Sequence, residues 1–430
     1  MDNVQSILLY LAVFFFSYIL VRYGIRTKSR LAIFVSLSLI IMLGFFRYGL
    51  GIDYASYLEL YGYHGAGIEL NPEVSYHAGM IEPLFVWLAQ LSHALTNTPL
   101  LYLGIPWAAT VLLVYFGLRR LTQNQTPEQI GMAWLTLLPI MTALGFNQVR
   151  QTLAAALLFY AFHFLLKQKS AGVIKFSLFA ILAVLSHFSA IFIALTLLVT
   201  GLFLGKKEKR FNRRILKITV VSIIMMAFLI VLSVSLKDAL LSQFVDVKYI
   251  REFYRLLFLE SGVSGLIFGF ISVRPESIIV LIIFLVPMFL FFRGKYTGDR
   301  RVALACAIGL MLGSLSLFVN NGERLAQYYM FFAPVVMVSI VGTRYNMRAV
   351  YFTIVFALIM TFGWQGVTHY DTIFNRDVDL NLMAQRRIRP LHSQVTCLTN
   401  PGECSDDRLY DPDTSRSWLQ YAKDDLWRLE

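Results

Sequence analysis

The stretch IIVLIIFLVPMFLFF at residues 278–292 is followed at once by Arg293-Gly294-Lys295, and its reading decides the fold. Fifteen apolar residues in a row, closed by a basic break, come close to the roughly 17–25 that a helix crossing a bilayer needs. Similar blocks recur at Leu8–Val21 and Ile215–Val234. Over the 430 residues, 57% are hydrophobic and 15% charged, with a mean hydropathy of +0.63. Soluble domains carry nearer a quarter charged residues, so the chain is read as all-α, a polytopic bundle of transmembrane helices. The first block has no basic residue ahead of it, and its Arg22 and Arg26 come after. That order is the reverse of a secretory signal, and the block is read as a retained helix.

The net charge of +12 does not point to nucleic acid, because most of the excess lies in short breaks between apolar runs. These breaks hold Arg22, Arg26, Lys28 and Arg30; Arg119 and Arg120; Lys167 and Lys169; Lys206 to Lys217; Arg293, Lys295, Arg300 and Arg301; and Arg344 and Arg348. The positive-inside bias places them in the cytoplasm. Helices are expected at about 5–21, 31–46, 100–118, 129–146, 151–166, 174–186, 189–204, 216–236, 277–292, 302–319, 325–341 and 350–367. That makes twelve crossings with both termini outside, provided 83–95, with Trp87, Gln90 and His93, lies in the interface. The membrane domain is expected to cover 1–367. Outer loops fall at 47–99 and 237–276, and a polar outer tail at 368–430. Lys248, Arg251 and Arg255 suit a helix lying on the membrane. Cys397 and Cys404 fall in the tail, where a disulfide would be allowed outside the cytoplasm. Cys306 lies in an apolar run and is expected to pack.

With sidedness set by the basic residues, five polar groups fall together at the outer helix ends: Phe46 to Tyr54, with Tyr57 and Tyr61; Glu82-Pro83; Asn147 to Gln151; Ser186 to Ser189; and Asn320 to Arg324, with Gln327 and Tyr328. Ionisable groups at membrane depth are costly and usually line a cavity or pathway. Three arginines at one level, Arg47, Arg150 and Arg324, suit an anionic ligand, because the guanidinium fork fits phosphate oxygens. Taken singly, each group has a structural alternative. An arginine snorkels to headgroups, Arg47 pairs with Asp53 in a loop, Glu82 serves a helix N-terminus, His187 is a hydrogen-bonded structural residue, and Tyr328 and Tyr329 form an interface belt. Walker A and dinucleotide-binding patterns are absent from the sequence, as are an Asp-x-Asp in the first outer loop and a His/Cys cluster at ligand spacing. Neither a cofactor nor a metal is expected.

At Arg47-x-Gly49-x-Gly51-x-Asp53-Tyr54-x-x-Tyr57, Glu82-Pro83, Arg150-Gln151, His187-x-Ser189 and Arg324-x-x-x-Tyr328, the sequence resembles the EpsG/Wzy-like polysaccharide polymerases of bacterial envelopes. The resemblance spans about residues 40–330. It implies a GT-C-like glycosyltransferase in the bacterial inner membrane with its active site facing outward. The substrate would be an oligosaccharide repeat unit on undecaprenyl diphosphate. A growing chain would pass from its lipid diphosphate to the terminal sugar of a new unit, with no nucleotide. A chain-length regulator is a family-level partner. Arg150 and Arg324, then Arg47, are the expected diphosphate ligands, and Asp53, His187 and Glu82 compete as the base. Tyr54, Tyr57, Gln151 and Tyr328 are the expected substrate contacts. An O-antigen-type ligase or another lipid-linked transferase is the nearest alternative, and a flippase or transporter the next.

Overall fold

The computed structural model describes residues 2–45, 54–65, 67, 82–96, 99–167, 170–203, 275–293, 295–315 and 322–341. The described residues form helices α1 (Asp2–Thr27), α2 (Arg30–Phe45), α3 (Tyr54–His64), α4 (Pro83–Thr96), α5 (Leu100–Leu121), α6 (Pro127–Asn147), α7 (Val149–Leu166), α8 (Ser170–Ser186), α9 (Ala190–Phe203), α10 (Pro275–Arg293), α11 (Arg300–Leu315), α12 (Gly322–Gln327) and α13 (Phe332–Val338). The exception is a two-residue antiparallel ribbon, β1 (Lys295–Tyr296) with β2 (Ile340–Val341). The helices expected at 216–236 and 350–367, the surface helix near 248–255 and the polar tail with its two cysteines lie outside the described residues.

Three described helices are long and apolar enough to cross a bilayer, Leu100–Leu121, Pro127–Phe146 and Val149–Leu166, and four shorter ones are strongly apolar. The shorter helices still turn apolar stripes outward. Ile174, Leu178, Ile181 and Leu182 are exposed on α8, and Phe188, Ile191, Phe192, Leu195 and Val199 at and along α9. Such stripes at helical spacing would be a liability in water and are the natural boundary with lipid. The chain is a helical membrane protein.

Because lipid offers no hydrophobic drive between helices, close packing and internal hydrogen bonds must hold the bundle together. Trp107 of α5 shows how. A Cβ at Gly44 of α2 or at Gly145 of α6 would overlap its indole, so only glycine lets both backbones approach. The indole N–H donates to the Ile40 carbonyl at 2.9 Å. Nearby, Ser17 of α1 and Ser36 of α2 join through their hydroxyls at 2.7 Å, and Trp134 of α6 donates to Ser17 at 3.0 Å. Cys306 is fully buried in apolar surroundings, as expected.

Contacts along the helices assign their ends. Trp107 packs on Phe146 and Tyr115 on Trp134, so α5 and α6 run antiparallel. Gly145 puts Trp107 at the level of Thr152, and Gly117 meets Phe159 further along, so α5 and α7 run the same way. One end of the bundle therefore gathers Glu82, the start of α7, the α8–α9 turn and α12. The opposite end holds Arg119, Arg120, Lys167 and Arg301, all residues of the basic breaks.

At that basic end Arg301 does more than mark sidedness. It is 7% exposed, and its guanidinium donates to the Leu166 carbonyl at 2.8 Å and the Gly201 carbonyl at 3.0 Å. It also pairs with Asp299 at 2.7 Å. Positive charge thus caps the unsatisfied C-terminal carbonyls of α7 and α9 together. Arg301→Gln is expected to destabilise the bundle by about 3 kcal/mol. This is the low end for breaking a buried pair, because Asp299 remains partly exposed. Thermal unfolding in detergent checks it, with Asp299→Asn expected to cost less.

One expected helix is interrupted. The run 325–341 is helical at Gly322–Gln327 and again at Phe332–Val338, but residues 328–331 form tight turns. There Tyr329, Met330, Phe332 and Ala333 each donate to the carbonyl three residues back. Backbone departing from regular helix at membrane depth is tolerated where protein surrounds it, and residues 326–340 are all buried.

Candidate active site

Glu82 stands just before α4, with Pro83 at the first helical position, where its missing N–H costs nothing. The Glu82 carbonyl starts the helix by accepting from Phe85 at 3.0 Å, while the side chain reaches across to two other elements. Its Oε2 receives Arg150 Nη1 in a close ion pair, and its Oε1 receives His187 Nδ1 at 2.6 Å and the Phe188 N–H at 3.4 Å. The residue is 3% exposed. Burial alone would raise the Glu82 carboxyl, but the His187 hydrogen bond and the Arg150 charge together hold it below the ordinary value.

Two tight corners supply the partners. Gln148, with φ −127° and ψ 62°, is the single residue between α6 and α7, which puts Arg150 in the first turn of α7. A cation there opposes the helix dipole, and Glu82 offsets that cost. His187 opens the turn between α8 and α9, held by its N–H to the Ala183 carbonyl at 2.8 Å and its carbonyl to Ala190 N–H at 3.0 Å.

Around this centre Tyr57 lies with its ring centroid 6.0 Å from the Arg150 guanidinium carbon, a cation–π separation. The His187 and Tyr328 rings are nearly parallel, 9° apart with centroids at 6.5 Å, and the Tyr328 hydroxyl meets Ser189 Oγ at 2.9 Å. Gln151 directs its amide nitrogen to the Arg324 carbonyl and, at 3.0 Å, to Gln327 Oε1. That strut fixes α12 against α7 beside Arg150. Arg324 itself is exposed and enters no ion pair among the described residues.

The structure thus brings together Glu82, Arg150, His187, Tyr57, Gln151 and Tyr328, with Arg324 at the rim. Arg47, Asp53 and the side chain of Tyr54 lie outside the described residues. Glu82 proves to be more than a helix start. The interface-belt alternative for Tyr328 and Tyr329 is corrected, since both are buried and turn their hydroxyls to Ser189 and to Thr196 of α9. Among the described residues no three His, Cys, Asp or Glu side chains gather where they would hold a metal.

Two buried side-chain atoms among the described residues lack a hydrogen-bond partner, Tyr102 Oη and Gln148 Oε1. The sequence reading did not single out Tyr102, which sits in an apolar run with nothing in its local pattern to mark it.

The lowered Glu82 carboxyl sets a pH dependence. A depressed folded pKa contributes stability above the ordinary carboxylate value and loses it as pH falls through the folded value. Thermal stability is therefore expected to drop below about pH 4.5 as Glu82 protonates, and the drop should shrink in Glu82→Gln when unfolding is followed from pH 7 to 3.

A buried acid held between an arginine and a histidine, at one end of an apolar helical bundle, is the polar centre of this membrane protein. The chain belongs to the EpsG family, whose model matches residues 29–375. No curated protein and no solved structure matches the chain. Family membership indicates a polymerase-type function in polysaccharide biosynthesis at a membrane.

Proposed function

We propose that the chain is a polysaccharide polymerase of the inner membrane. It would transfer a growing glycan from undecaprenyl diphosphate onto the terminal sugar of a new lipid-linked repeat unit on the outer face. The observation that carries this reading is the Glu82 carboxylate held between Arg150 and His187. Twelve crossings, a GT-C-like arrangement, a membrane domain over 1–367 and an outer tail from 368 complete it.

Glu82 is a poor base, because its oxygens are engaged and its carboxyl is held low. It acts instead as the orienting partner. By taking the Nδ1 proton into its hydrogen bond, it leaves His187 Nε2 as the acceptor, the division of labour that a carboxylate imposes on a catalytic imidazole. In the transfer step Nε2 takes the proton from the attacking sugar hydroxyl. That oxygen bonds to the anomeric carbon of the growing chain, and the bond from this carbon to the diphosphate oxygen breaks. Its electron pair leaves with undecaprenyl diphosphate. The remaining N–H groups of Arg150, with Arg324 at the rim, meet the charge developing on that leaving group. Asp53 remains the competing base, and Arg47 a third cation.

Purified protein given its native undecaprenyl-diphosphate repeat unit is expected to yield a glycan ladder and to release one undecaprenyl diphosphate per bond formed. Movement of the lipid-linked unit across a liposome membrane without a ladder would favour a flippase. Transfer to a different lipid acceptor, again without a ladder, would favour a ligase.

A further inference from the structure

Tyr102 of α5 is fully buried, and its hydroxyl has no hydrogen-bond partner. Leaving such a group unsatisfied costs about 1–3 kcal/mol, and native proteins rarely carry that cost without a reason. The rest of the residue is well held. Its N–H donates to Ser92 Oγ at 3.0 Å, its ring meets Phe85 edge-on at 5.9 Å, and Tyr61 lies at 5.9 Å. The phenol is therefore fixed in place with only its polar tip unused.

That tip belongs to the site already described. Phe85, which the Tyr102 ring meets edge-on, sits in the first turn of α4 and donates its N–H to the Glu82 carbonyl. Tyr57 links the two, since it also covers the Arg150 guanidinium and packs on Phe85 at 6.5 Å.

We infer that Tyr102 is a further ligand-binding residue, whose hydroxyl donates to an anionic phosphoryl oxygen of a lipid diphosphate that Arg150 also grips. The ligand reaches it past the Tyr57 ring, which contacts both the Arg150 guanidinium and Phe85. An anionic oxygen answers the unused donor, and Arg150 supplies the charge that a lone phenol lacks. The inference rests on the polymerase reading for the identity of the lipid, but its test needs no turnover.

The test compares wild type with Tyr102→Phe, which removes one oxygen and keeps the ring. Binding of undecaprenyl diphosphate is measured by the ligand-induced rise in Tm. Undecaprenol, with the same tail and no phosphate, is the control. Tyr102→Phe is expected to weaken diphosphate binding about 10-fold or more, to leave undecaprenol binding unchanged, and to keep or raise the Tm of the ligand-free protein. An unchanged diphosphate affinity overturns the inference. A Tm that falls without ligand also overturns it, whatever the affinity, because the hydroxyl would then serve the resting fold through a buried water. If wild type binds the diphosphate but makes no glycan ladder, the polymerase reading fails and the binding site stands.

Discussion

His187→Asn is expected to lower the rate of polymer formation by about 10²- to 10⁴-fold, the usual worth of a general base, while leaving the bundle as stable as wild type. The asparagine amide can replace the imidazole N–H that Glu82 Oε1 accepts at 2.6 Å, so the buried carboxylate keeps its partners. Only the second ring nitrogen is lost, and with it the capacity to take a proton. His187→Ala should be equally inactive and slightly less stable. Steady-state rates of ladder formation, with Tm as the control for folding, measure both. An asparagine variant within about 10-fold of the wild-type rate would remove His187 from the role of base and leave it to Asp53.

The arginines should separate from one another. Arg150→Ala strands Glu82, a carboxylate 3% exposed, without its cation. Removing one partner of such a pair costs about 3–5 kcal/mol, so this variant is expected to lose both activity and stability. Combining it with Glu82→Gln should restore much of the stability, because the stranded charge is gone, yet restore none of the activity. Non-additivity of that kind marks two groups acting on each other. Arg324→Ala should leave the Tm unchanged, since its guanidinium is exposed and the strut from Gln151 ends on its backbone carbonyl. Its turnover should still fall about 10²-fold if it stabilises the leaving group. Equal loss of stability in the two single variants would contradict the division into an ion-paired and a rim arginine.

The sequence made the membrane bundle legible because hydrocarbon thickness and the basic breaks constrain it independently. Arg150 and His187 stood out for the same reason, as ionisable groups against apolar runs. What joins them did not show. Glu82 meets Arg150 and His187 only because a helix start, a one-residue corner and a helix–helix turn converge, and no local pattern encodes that meeting. The sequence ranked Glu82 as a competing base, whereas its geometry is that of an orienting group. Arg301 counted as one cytoplasmic charge among several, yet its capping of α7 and α9 depends on where Leu166 and Gly201 end their helices. The interruption at 328–331 did have a local signal, obscured by the apolar run around it: Pro334 cannot donate to the Met330 carbonyl, and its ring crowds that turn.

The most direct test of the central claim is the release of undecaprenyl diphosphate by purified protein supplied with its native lipid-linked repeat unit, compared between wild type and His187→Asn. The account predicts release in step with glycan bonds in wild type, and near-complete loss of both in a variant that still folds. Sustained release by the folded variant at the wild-type rate would contradict it.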